Sequence, residues 1–459
     1  MIERKVQDGS AYTSSGLSLI AVALVTGSLV MATGVEIDQR RPNFVQDVAP
    51  LLHANCVTCH RPDTAAPFSL MSYDDARVKA KEIREAVTSR HMPPWSAVAA
   101  SGYASLSNDR ALDARQINTI TSWIDAGMPA GDLSKMPMPP NLPASWALGL
   151  PDLTVSLPRQ ISIPPDTAAR VFNVMLYMNF QVDRWITGID FKPTSSGILS
   201  HAIVFATPYT TPVNDDDELP GFGGLLGAGP TGNVGEELSK VDQTLETIGV
   251  WTPGGRVLPA PENAAIRLRK GMNLVIQFHV KPTDTGDIED GTVALYFAKA
   301  RPQVALTSLQ LPSSMGVAAG IDIPAGQSRI VVKDQLTLPV DVMAFGARGH
   351  GNGLARDMKL TARLPNGSVR GLLWINRWDV RWQETYYLTA PVRLPKGTTI
   401  SVEITYDNSA AGSRRVMWGA KLSEEIGAMD LLITAPEAAD EQTLAAARAA
   451  HFREQLIKK

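Results

Sequence analysis

The only two cysteines of the chain stand together, in Asn-Cys-Val-Thr-Cys-His at residues 55–60. Cys56 and Cys59 are separated by two residues, and His60 follows at once. Two thiols about one helical turn apart can each form a thioether with one vinyl group of a haem, while the next residue offers imidazole to the iron. A thioredoxin-like redox pair also uses Cys-X-X-Cys, but it needs a βαβ setting, and the surroundings here read as helical. A structural zinc site needs more soft ligands nearby, and the chain has no other cysteine. The spacing predicts one covalent haem c on Cys56 and Cys59, with His60 as proximal ligand.

A sixth iron ligand must come from the other face of the ring. Ser-Arg-His-Met-Pro-Pro-Trp, residues 89–95, offers Met92, stiffened from behind by Pro93 and Pro94. His91 is the second candidate, and Met71 follows Cys59 too closely to cross the ring. A thioether ligand raises the iron potential and suits electron transfer. The ordinary alternative for Met92 is core filling. No residue is assigned a catalytic role.

The elements that must hold these groups read as helices. Phe44, Val48, Leu51 and Leu52 repeat at helical spacing behind Asn43, a candidate N-cap. Ala76, Ala80, Ile83 and Val87 form one stripe after Ser72, and Ile117, Ile120 and Ile124 another that stops at Gly127. His53 reads as an ordinary helix residue. An all-α haem domain over 40–131 is therefore expected. Upstream, after Arg4 and Lys5, residues 16–35 carry no charge. About twenty apolar residues suffice to span a bilayer, and the basic flank sits on the side that stays inside. The run reads as an uncleaved anchor or as a signal peptide, with Ala32 and Gly34 small enough for cleavage. Either way the rest is expected in the periplasm, tethered to the inner membrane or released there.

Residues 132–152 are Pro-rich and read as a linker. Beyond them the texture turns to short strands, such as Asn-Leu-Val-Ile-Gln-Phe-His-Val at 273–280, with a Pro-Asn-Gly turn at 365–367. Antiparallel β-sandwiches are expected over 153–304 and 305–435, with a long insertion at 214–237. A helical tail follows at 436–459, where His451 reads as solvated. The expected fold class is multidomain α + β: a signal or membrane helix at 1–39, the all-α segment, then two sandwiches. The 459 residues carry a formal net charge of −3, which gives no reason to expect a nucleic-acid partner.

Several runs together resemble a known family. They are "CVTCHRPDTAAPFSLMSYDDA", "RHMPPW", "SNDRALDARQI" and "WIDAGMPAGD", followed by "DRWITGIDFKP", "SHAIVFATP", "LVIQFHVKPTDTG", "RDMKLTARLPNG", "RWDVRWQETYYL" and "YDNSA". They are similar to bacterial fusions of a cytochrome c segment with a copper type II, ascorbate-dependent monooxygenase-like module, of the peptidylglycine α-hydroxylating kind. The resemblance implies two jelly-roll sandwiches and two coppers facing each other, one held by three histidines and the other by two histidines and a methionine. Mapped residue by residue, the first site keeps His201 and His279 but has Ser200 in place of a histidine. The second keeps His350, with Asn352 in place of its partner and Ile426 at the methionine position; Met429 lies nearby but off register. Three of six ligands are missing, so copper at His201, His279 or His350 is doubtful. Three functions follow as expectations. The first is an electron-transfer cytochrome with a redox-protein or membrane-complex partner. The others are a copper monooxygenase fed by the haem and a structural haem subunit of a respiratory or dehydrogenase complex.

Overall fold

Apolar runs without alternation set the centre of the molecule. Leu199–Thr207 and Asn273–Val280 are buried at every position, because each strand has one face in a sandwich core and the other against a second sheet. The structure, a computed structural model, describes residues 41–457 except 63, 65, 141–145, 159, 164, 166–169, 195–197, 209–245, 256, 258, 282–285, 318 and 420–422. The apolar run 16–35 and the insertion 214–237 lie outside the described residues.

One eight-stranded sheet runs in the order Leu153–Ser156, Thr292–Phe297, Arg184–Lys192, Ala264–Leu268, Val304–Leu311, Gly427–Thr434, Val342–Gly351, Tyr386–Leu394. Its first half packs on a four-stranded sheet of Arg170–Leu176, Asn273–Val280, Leu199–Thr207 and Glu246–Trp251, around Ile186, Phe191, Phe278 and Leu295. Its second half packs on Ile330–Thr337, Thr399–Tyr406, Ala355–Arg363 and Val369–Ile375, around Leu360, Val402, Ile404 and Leu431. The halves are joined by a parallel pairing of Ala264 and Ala265 with Val304 and Ala305. Gly367 turns the hairpin between Ala355–Arg363 and Val369–Ile375 with φ +85°, as the Pro-Asn-Gly signal predicts.

The helices Ala49–Asn55, Tyr73–Val78, Ala80–Thr88 and Ala114–Asp125 surround a small core of Phe44, Leu52, Ile83, Ile120 and Trp123. Asn43 accepts from the Gln46 amide and Ser72 closes a capping box with Asp75. The chain leaves helical geometry at Lys79 and resumes at Ala80, and the predicted stripe Ala76, Ala80, Ile83, Val87 is buried throughout.

The expected α + β chain with a separate all-α domain is overturned. Of the described residues 38% lie in strands and 19% in helices, and the helices before the first strand reach 12 residues at most. No described helix is long and apolar enough to cross a membrane. Residues 41–459 form one compact unit. The physical reason lies in residues 95–110, which leave the helices and join the second sandwich. Ala97, Tyr103 and Leu106 bridge to Ile375, Gly371 and Leu388. The Tyr103 ring occupies the space that a Cβ on Gly371 would need. Trp95 is buried in the second sandwich's core. Arg110 donates to the Glu384 carboxylate at 2.7 Å and lies over the Trp95 and Trp382 rings. Burial raises the Glu384 pKa, against the pull of Arg110. Removing one partner of such a buried pair costs about 3–5 kcal/mol. The sandwiches themselves also depart from two independent antiparallel units, since one backing sheet with a parallel join serves both.

His451 does not fit its solvated reading: its Nε2 lies 2.9 Å from a carboxylate oxygen of Asp334. His53 is buried, and its Nε2 lacks a hydrogen-bond partner among the described residues.

Candidate cofactor site

Helix Ala49–Asn55 ends at the first cysteine, with the Cys56 amide donating to Leu52 O at 2.8 Å. The next turn coils back so that the His60 amide donates to Cys56 O at 2.9 Å. His60 Nδ1 lies 3.1 Å from the Phe68 carbonyl, and the two rings are 4.7 Å apart. A carbonyl only accepts, so the proton sits on Nδ1 and Nε2 keeps its lone pair, the tautomer a metal ligand requires. Burial pushes the His60 pKa down, opposed by the Phe68 carbonyl. The ring is therefore neutral at pH 7.

Cys56, Cys59, His60 and Met92 line one cavity of about 880 Å³. That is near the upper end of cofactor-sized sites. Leu52, Leu70, Ile83 and Val87 form its apolar wall on the helical side; Trp378 and Trp382 close it from the second sandwich. His91 stands on the wall beside Met92, whereas Met71 packs against the helical core. Met92 and His91 thus remain in reach of one ligand and Met71 does not.

Both thiols are free. Burial pushes Cys56 up to about 12, with Cys59 adding to it. Cys59 is also raised by burial, although Arg110 and Arg61 pull it down. A dithiol oxidoreductase depends on a lowered thiol pKa. This pair has the opposite setting.

The first sandwich touches the site directly. Cys59 Sγ lies 3.7 Å from Pro253 O. Gly254, at φ +67°, has no room for a Cβ because Cys59 Sγ fills that space. Gly254→Ala is expected to displace the turn and strain a left-handed backbone at once. A fall of about 1–3 kcal/mol in stability follows, checked by denaturant unfolding beside Gly271→Ala, another positive-φ glycine but with open space at its Cβ. The Thr-Pro-Gly-Gly run at 252–255 signals a turn in the sequence but not the partner that the turn meets.

The three histidines mapped onto copper positions meet elsewhere, in a buried seam between the sandwiches. His201 and His279 are register partners on adjacent strands, and their rings stack at 3.9 Å and 23°. Gln383 donates its amide to His201 Nε2 at 3.0 Å, and His279 Nε2 donates to Gln277 Oε1 at 3.0 Å. Burial pushes both histidines down, His279 to about 3, with His279 and His350 adding to the effect on His201. His350 Nε2 donates to Asp430 at 3.0 Å, and Arg348 donates to the same carboxylate oxygen at 2.8 Å. Burial works to raise Asp430, but His350 and Arg348 hold it well below the usual carboxylate range.

At this seam each ring's Nε2 is engaged in a hydrogen bond, and three of the six ligands that the resemblance implies are replaced. Among the described residues no three His, Cys, Asp or Glu side chains converge on a metal position. Of the mapped replacements, Ser200 lines the cavity beside Cys59, and the Asn352 side chain donates to Glu424 O at 3.0 Å. Ile426 packs in the seam, and Met429 turns into the second sandwich's core. Nδ1 of each ring is buried with no hydrogen-bond partner among the described residues. Each such orphan costs on the order of 1–3 kcal/mol.

No family model matches the chain. No curated protein matches it either. Solved structures give weak likenesses only. A PNGF-II structure is 11% identical with TM-score 0.27, covering 61% of this chain and 65% of that one. The chain therefore spans just under two thirds of that protein. The major capsid protein of bacteriophage PM2 is 10% identical with TM-score 0.21, over 62% of this chain and 97% of that one. The infectious bursal disease virus VP2 particle is 11% identical with TM-score 0.19, over 67% and 78%. Likenesses this low carry no functional argument.

Proposed function

We propose that the protein is an exported c-type cytochrome that transfers electrons through one haem held by Cys56 and Cys59. His60 and Met92 would hold its iron. The bound haem would supply a one-electron couple, raised by its methionine ligand. The chain's part is to hold both thiols, a neutral imidazole with free Nε2 and a thioether on the wall of one cavity. The observation that carries the reading is the Nδ1 contact of His60 with Phe68 O, on the cavity shared with Cys56, Cys59 and Met92. Trp378, Trp382 and Pro253 extend the wall around the cofactor space, and burial is one of the means by which a protein tunes a haem potential.

The same reading places the protein in the periplasm, with 16–35 as tether and a redox protein or membrane electron-transfer complex as partner. The sheets act here as scaffold. The reading gives their seam no copper chemistry, because three of the six ligands that the resemblance implies are replaced and each remaining ring's Nε2 is held by a hydrogen bond. The test counts haem and copper on one sample prepared with excess copper. One haem resisting acidified acetone, with copper at background, is the expected result. Porphyrin that washes out defeats the haem assignment, and stoichiometric copper released by His279→Ala defeats the account of the seam.

A further inference from the structure

The loop that carries Met92 is fastened on both sides by the second sandwich. Helix Ala80–Thr88 stops at Ser89, and the chain turns back through Arg90 at φ +55°, a left-handed conformation that a side chain disfavours. The His91 and Met92 amides both donate to Ala86 O, at 2.9 and 3.1 Å, which closes the turn from inside. The rest of the hold comes from far along the chain. Arg377 lies in the connection between Val369–Ile375 and Tyr386–Leu394. It donates one terminal nitrogen to Ser89 O and the other to Arg90 O, each at 3.1 Å. These carbonyls stand at the helix C-terminus, where no further turn supplies donors and positive charge is favoured. On the far side of Met92, Arg110 Nε donates to Pro94 O at 3.0 Å, and Arg110 is locked in turn by Glu384 of the same connection. Trp95 follows in the second sandwich's core, its ring edge-on to Tyr386 at 5.0 Å.

His91 lines the same cavity one position earlier. A loop free to slip would offer an imidazole in place of the thioether, or leave the position open to an added ligand. The potential of a haem depends on which of these binds. We infer that Arg377 is a positioning residue: its two-pronged grip on Ser89 O and Arg90 O keeps Met92, rather than His91, at the cofactor space, so that the second sandwich selects the sixth iron ligand. This rests on the haem assignment above. A planar guanidinium suits the task, because its rigid fork presents two donors at a set spacing. The Arg377 contacts are exposed, so a substitution there removes no core packing. The fused β-structure thereby acts on the redox centre through the loop it clamps, without ligating iron itself.

The experiment compares the full chain with Arg377→Gln, Arg377→Lys and the control Arg370→Gln, at an exposed position on the strand Val369–Ile375. Four quantities are read for each: covalent haem per chain, absorption of the sulfur–iron bond, affinity of the oxidised protein for added imidazole, and amide hydrogen exchange at His91 and Met92. Imidazole is the probe because loss of a positive charge would by itself lower the potential. The inference expects unchanged haem content in Arg377→Gln, with weaker sulfur–iron absorption and faster exchange. Imidazole should bind about fivefold more tightly, the lower end of what two hydrogen bonds contribute. Arg377→Lys keeps the charge but not the fork and should shift the same way, whereas Arg370→Gln should match wild type. Wild-type imidazole affinity in Arg377→Gln overturns the inference and leaves the haem assignment standing. Wild-type affinity in Arg377→Lys alone means that charge acts without the fork, and overturns the inference too. A wild-type chain without covalent haem overturns both readings, and the haem count tells the failures apart.

Discussion

A chain carrying Cys56→Ala and Cys59→Ala together is expected to emerge with no covalent haem, a complete loss read by haem staining after denaturing electrophoresis. Either single variant keeps one thioether and is expected to retain colour at lower yield. The double variant should also be much less stable. The wall of the 880 Å³ cavity is built from apolar side chains such as Leu52, Leu70, Ile83 and Val87, which a porphyrin would cover and water does not. A group that binds only the folded chain stabilises it by mass action, and a covalent one cannot be diluted away. Met92→Leu separates attachment from ligation: haem stays bound, while the potential falls because the thioether is gone. If the double variant keeps its haem through denaturation, the assignment of both thiols is wrong.

The second large effect concerns acid. His279 is held neutral by burial, with a folded pKa of about 3 against 6.5 for the free side chain. Between these values the unfolded chain binds a proton that the folded chain refuses. The contribution is therefore full above pH 6.5 and is lost as pH falls toward 3. From pH 7 to pH 5 the loss is about 2 kcal/mol for this one group. His279→Phe keeps a ring against His201 but removes the titration. The stability difference between wild type and variant should thus move by about 2 kcal/mol over that range, in favour of the variant at pH 5. Glu425 works in the other direction: burial raises it to about 7, so its contribution is lost as pH rises from 4.5 through 7. Because Glu425 is present in both proteins, it cancels in the difference. Denaturant unfolding at the two pH values measures the shift, and a constant gap would mean that His279 is not buried neutral.

Much of the local structure was legible in the residues themselves. The caps at Asn43 and Ser72, the stop near Gly127 and the hairpin at Gly367 each depend on side chains a few positions apart. The strands Leu199–Thr207, Asn273–Val280 and Thr399–Tyr406 lie where apolar and β-branched runs place them. Near neighbours along a chain meet whatever the fold, so their preferences can be read from sequence. The same holds for the two thiols and the imidazole of 56–60.

Other features were decided by partners far along the chain. Cys59 meets Pro253 across 194 residues, and no pattern at either end announces it. The segment 95–110 falls inside the stretch 40–131 that was expected to be all-α. Gly371 and Glu384 on the second sandwich make it part of a sheet, and this is why the separate all-α domain was a misreading. The surviving histidines could be named from sequence, but their function depends on where the ring nitrogens point. Sheet register stacks His201 on His279 and hands their Nε2 atoms to Gln383 and Gln277. Residue identity sets which bonds are chemically available; the packing of distant strands sets which of them form, because only the folded chain fixes direction and distance.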